Sequence, residues 1–326
     1  MNWFLLMVAC VILWSVTDIL YKASSPKNDP LSHYKTFVWI GIVMALAGCI
    51  MSTWSDTLLD SIKIVKDNLL YLIPLGLIYA AAMFFGLLGK KHLAVSVVSS
   101  LENIGGALVA IIIYYYYLLT GYILPSYEFG VIDFIATASI IIGVILIGRD
   151  EQALMKQEAH LDEDKQNHRL GALALLFPIL YTLIDVFSVA EIGGVSGNSG
   201  ITDAADEIFI PAMDFFIFEC AGIALISICV WIYLLIVKKH VYNPFQPEEF
   251  IRCSAATGET FGTMTFIFAA AIEPVLTAPI TSFHCIVTIV LARIFLKEHL
   301  SKKQYISLAF VELGIVLIGF ADIFGL

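Results

Sequence analysis

Apolar residues along this chain fall into long blocks, and the polar residues collect between them. A helix that crosses a bilayer needs roughly 20 predominantly apolar residues. Ten runs meet that length: 2–21, 35–54, 69–89, 93–118, 128–148, 170–190, 209–237, 251–272, 274–296 and 304–324. Each is predicted to be a transmembrane helix, so the expected fold class is an all-α polytopic membrane protein. The runs divide five and five about one polar segment that carries Glu151, Lys156, Glu158, Asp162, Glu163, Asp164 and Lys165. The expected domains are a first five-helix repeat over 1–148, a charged linker over 149–169 and a second five-helix repeat over 170–326.

Two stretches recur between the halves. Ile12-Leu13-Trp14-Ser15-Val16-Thr17-Asp18 matches Ile179-Leu180-Tyr181-Thr182-Leu183-Ile184-Asp185, and Gly143-Val144-Ile145-Leu146-Ile147-Gly148 matches Gly314-Ile315-Val316-Leu317-Ile318-Gly319. The chain therefore reads as two copies of one unit. Five crossings is an odd number, so the second copy enters the membrane from the opposite side. The halves are then expected to be inverted repeats about a pseudo-two-fold axis in the membrane plane.

Charge supplies orientation. Of the 18 lysines and arginines, only Lys63 and Lys66 flank even-to-odd connections; the rest flank odd-to-even ones. The positive-inside rule places the latter, with the linker, in the cytoplasm and both termini outside, in the cell (plasma or inner) membrane. Composition agrees, with 60% hydrophobic and 14% charged residues against about a quarter charged in soluble domains. No basic patch suits nucleic acid. The six cysteines lie within apolar runs without metal-ligand spacing, which points to packing and to no metal or cofactor.

Inside the runs lie Asp18, Glu102, Asp133, Asp185, Asp214, Glu219, Glu259 and Glu312, whereas no lysine or arginine falls near the middle of any run. A carboxylate in a poorly hydrated site must find a cation, hydrogen bonds or a proton. Asp18 and Asp185 recur at equivalent positions facing opposite leaflets, which makes them gate or proton candidates, with helix packing as the alternative. Trp14 and Tyr181 lie four residues before them, on the same helical faces. Glu102, beside Asn103, and Glu259 sit among hydroxyls and glycines, where a ligand or a neighbouring helix can approach closely. With Trp14, Tyr79, Tyr181, Phe283 and His284 they form the candidate substrate-binding set; for His284 a hydrogen-bonded packing role is favoured over that of a proton relay or cavity-lining residue. Pro74, Pro178 and Pro279 are candidate kinks, Glu312 is a candidate packing acid, and Asp133, Asp214 and Glu219 have no assigned role.

The last two helices carry Val290-Leu291-Ala292-Arg293-Ile294-Phe295-Leu296-Lys297-Glu298-His299-Leu300-Ser301, followed by the Gly314 to Gly319 run. This resembles the end of the repeat in the drug/metabolite transporter superfamily, EamA branch, and Trp14 with Lys22 resembles the Trp and Lys near that family's first helix. Lys297 stands where the family usually has glycine. Read alone, Glu298 is a turn residue held by hydrogen bonds.

The resemblance implies a ten-helix secondary transporter with a central cavity. The function expected is movement of a small organic metabolite by alternating access, with protons as a candidate coupling ion. Aromatic faces and carboxylates favour a cationic or zwitterionic substrate of the amine or quaternary ammonium type, such as choline. The alternative is an exporter of neutral or aromatic metabolites, amino acids or drugs. An intramembrane enzyme is weaker, because no H-E-x-x-H, G-x-S-x-G or paired-aspartate motif is present. The expected partners are a small-molecule substrate and the lipid bilayer.

The orientation has a direct test. Single cysteines placed within 149–169 should react with an impermeant thiol reagent only after cells are broken; labelling in intact cells would overturn it.

Overall fold

The computed structural model describes residues 2–26, 29–67, 76–104, 131–159, 171–195, 209–246, 249–272, 277, 281, 283–298 and 300–324. Pro74, Pro279, the second part of the fourth run, most of the linker and the side chain of Asp133 lie outside them. The described residues form eleven α-helices, α1 (Trp3–Ala23), α2 (Ser32–Ser52), α3 (Leu58–Asp67), α4 (Leu77–His92), α5 (Val95–Glu102), α6 (Val131–Ala159), α7 (Leu176–Val195), α8 (Ala212–Ile236), α9 (Phe250–Ile272), α10 (His284–Leu291) and α11 (Lys302–Phe324), with a 3-10 helix over Gly171–Leu175 before α7 and a π-helix over Ala292–Leu296 after α10. There is no strand among them. Every apolar run carries all or part of a helix. Three helices, α1, α2 and α8, are long and apolar enough to cross a membrane.

Local chemistry sets several helix ends. Asn2 accepts the Phe4 N–H at 3.0 Å and starts α1. Gly76, at φ 72°, precedes α4, and a Cβ there would lie 2.7 Å from the Glu219 carbonyl oxygen. Pro178 lies three residues into α7, which follows directly on a 3-10 helix over Gly171–Leu175, so its missing N–H falls next to the change of helix type. Helix α6 continues beyond its apolar run to Ala159, so the beginning of the linker is helical. Helix α3 has no counterpart among the apolar runs; its Ser61, with Ser55 and Thr57 just before it, donates to Asp214 on α8. That carboxylate ties the α2–α3 connection to the start of α8.

Large apolar side chains cover the outside as well as filling the core, and charged side chains lie within. Phe4, Leu5, Ile12, Leu46, Ile50, Ile145, Leu225, Ile228 and Ile236 are exposed, while Asp18, Lys90, Glu102, Asp214, Glu219, Arg252 and Glu259 are buried. Apolar faces of this extent mark contact with lipid or another apolar partner. The most extensive helix contacts join α1 to α9, α2 to α8, α4 to α7 and α6 to α11.

The repeated glycines explain the last pair. A Cβ on Gly143 would lie 2.6 Å from Val311 Cγ2 and 2.8 Å from the Ser307 carbonyl oxygen; one on Gly314 would lie 2.4 Å from Ile140 Cγ1 and 2.6 Å from the Ala136 carbonyl oxygen. Each glycine thus admits the opposite backbone. Ser139 reinforces the contact by donating to the Phe310 carbonyl at 2.7 Å. Ile140 can change rotamer, but the Ala136 carbonyl cannot. Gly314→Ala should therefore destabilise the protein by about 1–3 kcal/mol, read as a lower thermal midpoint in detergent or nanodiscs. An unchanged midpoint would mean the two helices separate at little cost.

Candidate functional site

Six helices meet at one buried polar network. Lys90, in the last turn of α4, is 5% exposed. Its ammonium lies 3.2 Å from Asp18 Oδ1 on α1 and donates to Glu102 Oε2 at the end of α5. The Tyr21 ring of α1 and the Tyr181 ring of α7 each have their centroid 5.9 Å from the same nitrogen. Two carboxylates and two aromatic faces therefore surround one ammonium. Three buried charges in close contact are stable together only because each satisfies the others.

Asp18 extends the network toward α10. Its Oδ2 lies 3.5 Å from His284 Nε2 and 3.4 Å from Thr288 Oγ1. His284 Nδ1 faces the Thr281 carbonyl at 3.2 Å. A carbonyl only accepts, so the neutral ring carries its hydrogen on Nδ1 and presents a lone pair on Nε2. Asn103 Nδ2, 3.3 Å away, supplies a donor to that lone pair and also donates to the Ser99 carbonyl at 2.7 Å. Protonation of His284 turns Nε2 into a donor toward Asp18. Trp14 packs beyond this point, with its ring centroid 5.4 Å from Phe266 and 5.9 Å from His284.

Tyr21 extends it toward α9. Its hydroxyl donates to Glu259 Oε2 at 3.1 Å, while Tyr79 of α4 donates to Glu259 Oε1 and Thr263 donates to the same oxygen at 3.3 Å. Glu259 is thus held by three hydroxyls and Glu102 by a lysine. Glycines make the room: a Cβ on Gly86 would lie 2.7 Å from Glu102 Oε1 and 3.0 Å from Tyr181, and one on Gly262 would lie 2.4 Å from Trp14 Cδ1.

The structure therefore brings together Trp14, Asp18, Tyr79, Glu102, Asn103, Tyr181, Glu259 and His284. Phe283 is half-buried directly before His284, and Asp185 lies half-buried one turn beyond Tyr181 on α7. Lys90 was missed, because it lies one residue past the end of an apolar run and so resembles an ordinary flanking charge. The absence of lysine and arginine from the middle of every run therefore does not keep a cation out of the interior. Helical spacing held the missing signal: Tyr79, Met83, Gly86 and Lys90 follow an i, i+4, i+7, i+11 pattern that places the lysine on the face of the tyrosine.

Two other acids hold the frame. Glu298 accepts from the N–H groups of Val95 and Ser96 at 2.9 and 3.3 Å and from the Ser96 hydroxyl at 2.8 Å, capping α5 from another segment of the chain. Glu312 accepts from Ser100 at 2.8 Å and from Cys285 at 2.9 Å, a packing arrangement.

Beyond the network, Arg252 joins the α1–α2 connection to the start of α9. It donates to Glu249 at 2.7 Å, to the Ser24 carbonyl at 2.9 Å and to Asp29 at 3.3 Å. Lys35 donates to Asp29 at 2.9 Å.

No family model and no curated protein matches this chain. Eleven chains of known structure do. One, described only as the crystal structure of a protein, is similar over 96% of this chain and 96% of its own, with a TM-score of 0.55 and 14% identity. At that identity the likeness shows the fold alone.

The Arg252 clasp has a pH signature. Partial burial pushes the Asp29 carboxyl up, but the Lys35 hydrogen bond, the Leu31 N–H and the charges of Lys35 and Arg252 outweigh it and hold the group below its ordinary value. A depressed folded value contributes stability above the unfolded pKa of about 4, lost as pH falls through the folded value. The wild-type thermal midpoint should therefore drop more steeply below about pH 4 than that of Asp29→Asn, which should start lower at neutral pH. Parallel curves would assign the acid sensitivity elsewhere.

Proposed function

We propose that this protein is a secondary transporter of the EamA type within the drug/metabolite transporter superfamily. Ten transmembrane helices, arranged as two inverted five-helix repeats, move a small cationic or zwitterionic metabolite by alternating access. The observation that carries this reading is the buried network in which Asp18 and Glu102 hold Lys90, and Tyr21 links it to Glu259 in the second half of the chain.

Helix pairing supports the repeat. Matching α1, α2, α4, α5 and α6 with α7, α8, α9, α10 and α11 turns the α1–α9 contact into the α7–α4 contact, and both are extensive. The α2–α8, α5–α10 and α6–α11 contacts map onto themselves, as helices astride a two-fold axis must. The similar crystal structure, at a TM-score of 0.55 and over nearly the whole chain, supports one continuous fold. The Trp14 and Tyr181 copies of the repeat then meet the same network from opposite halves.

The network also bears on substrate charge. Lys90 is already paired with two carboxylates, so it does not offer a free cation to a phosphate. Glu259 adds a further acid on α9, and its three hydroxyl partners contribute hydrogen bonds without positive charge. This excess of acid attracts a cation or protons. His284, between Asp18 and the Thr281 carbonyl, is the candidate proton relay.

Reconstituted protein should accumulate amines or zwitterionic amino acids in proteoliposomes, with uptake responding to an imposed pH gradient. Glu102→Gln and Glu259→Gln keep the side-chain size and remove the charge. Each should remain folded while losing most transport or its pH response. Normal transport by both variants would assign these acids to packing, and uptake of sugar phosphates alone would sink the cationic reading.

A further inference from the structure

We infer that Lys90 is the protein's own stand-in for the substrate ammonium: the cage of Asp18, Glu102, Tyr21 and Tyr181 is the amine subsite, which an N–H-bearing amine enters by displacing the lysine. The inference rests on the cationic reading of the site given above and narrows it.

Four observations point this way. First, the surroundings of the Lys90 nitrogen are those an ammonium ligand requires, with the Glu102 carboxylate hydrogen-bonded, the Asp18 carboxylate paired at 3.2 Å and two aromatic faces within 5.9 Å. Second, Lys90 is not needed to finish its own helix. Lys22 reaches across from α1 and donates to the Lys90 and Leu93 carbonyls at 2.7 and 2.6 Å, while Lys91 turns outward to the Pro30 carbonyl. The neighbouring lysines do the capping, and only Lys90 points inward.

Third, the subsite is not saturated. Glu102 Oε1 is buried without a hydrogen-bond partner among the described residues, in a residue only 7% exposed. The position beside it is Gly86, where a Cβ would lie 2.7 Å from that oxygen. A small ligand carrying more than one N–H satisfies Oε1 as well as Oε2, which the tethered lysine does not. Fourth, Lys90 has somewhere to go. It stands in the last turn of α4, and its flexible four-carbon stem can carry the ammonium toward the helix end and water.

The geometry also selects among amines. Lys90 contacts its carboxylates through N–H groups. A quaternary ammonium has none, and its methyl groups would stand between nitrogen and oxygen. Primary amines are therefore favoured over choline-like ligands.

The test uses full-length protein in nanodiscs, with methylamine and phenethylamine as primary amine probes. The N-trimethyl analogue of phenethylamine and 2-phenylethanol serve as controls. Saturating primary amine should raise acetylation of Lys90 by an amine-reactive reagent, read by mass spectrometry, while Lys91 stays unchanged. The trimethyl analogue and the alcohol should bind at least about tenfold more weakly, one hydrogen-bond difference being of that order. Lys90→Met should bind phenethylamine about tenfold more tightly, because an internal competitor has been removed. The labelling arm uses the wild-type chain and holds even if Lys90→Met does not fold. Amine binding with flat or reduced Lys90 labelling would overturn the displacement while leaving a cationic transporter standing. Equal binding of the trimethyl analogue would overturn the hydrogen-bonded subsite. No binding of either primary amine would overturn both this inference and the cationic reading.

Discussion

An ammonium that leaves water must be met by negative charge and hydrogen-bond acceptors, and Lys90 meets both between Asp18 and Glu102. Those carboxylates come from α1 and the end of α5, the lysine from α4, and the flanking rings from α1 and α7. The position of one nitrogen therefore fixes four helices relative to one another. Removing one member of such a buried group costs about 3–5 kcal/mol, because the others are left uncompensated. Asp18 carries the constraint on to His284 of α10, and Tyr21 carries it to Glu259 of α9. The apolar exterior adds little orientation of its own, since lipid is as apolar as leucine.

Where charges do not set helix spacing, small residues do. A Cβ on Gly41 would lie 2.0 Å from Ser227 Cβ, so α2 and α8 touch at nearly backbone distance. Gly143 and Gly314 do the same for α6 and α11. At the network the absent side chains have a different effect. Gly86 and Gly262 let a carboxylate and an indole lie against their helices, so the same residue type admits backbone at the periphery and functional side chains at the centre.

Much of this organisation was legible in the sequence. Hydrophobic run length is a strong signal because a bilayer imposes one helix length, and the ten runs each find helix among the described residues. The buried acids were legible for the same reason, since a carboxylate in an apolar run has few bland explanations. The amphipathic α3 was not, because it is too polar to register as a run and its reason for forming lies on Asp214, distant in sequence. Lys90 escaped because its depth is set by tertiary packing and not by its place in a run. Glu298 was legible as a hydrogen-bonded turn residue, but the α5 N-terminus it caps belongs to the other half of the chain.

If the chain works as the proposed transporter, the acids at its centre pose a problem when it is empty. If the site must cross between its two states without a ligand, unpaired carboxylates such as Asp18 and Glu102 would be carried through a dehydrated environment at a cost of several kcal/mol each. A tethered cation removes that cost, because Lys90 takes the place of the missing charge. In the proposed amine subsite, the energy that a ligand gains from the cage would then be a difference between two ammonium groups and not the full worth of the ion pairs. Such a site would bind moderately and release readily, and selectivity would fall to what the lysine does not touch: the unpartnered Glu102 Oε1 and the aromatic wall of Trp14 and Phe266. On this view the residues that recognise the body of the substrate are separable from those that hold its charge.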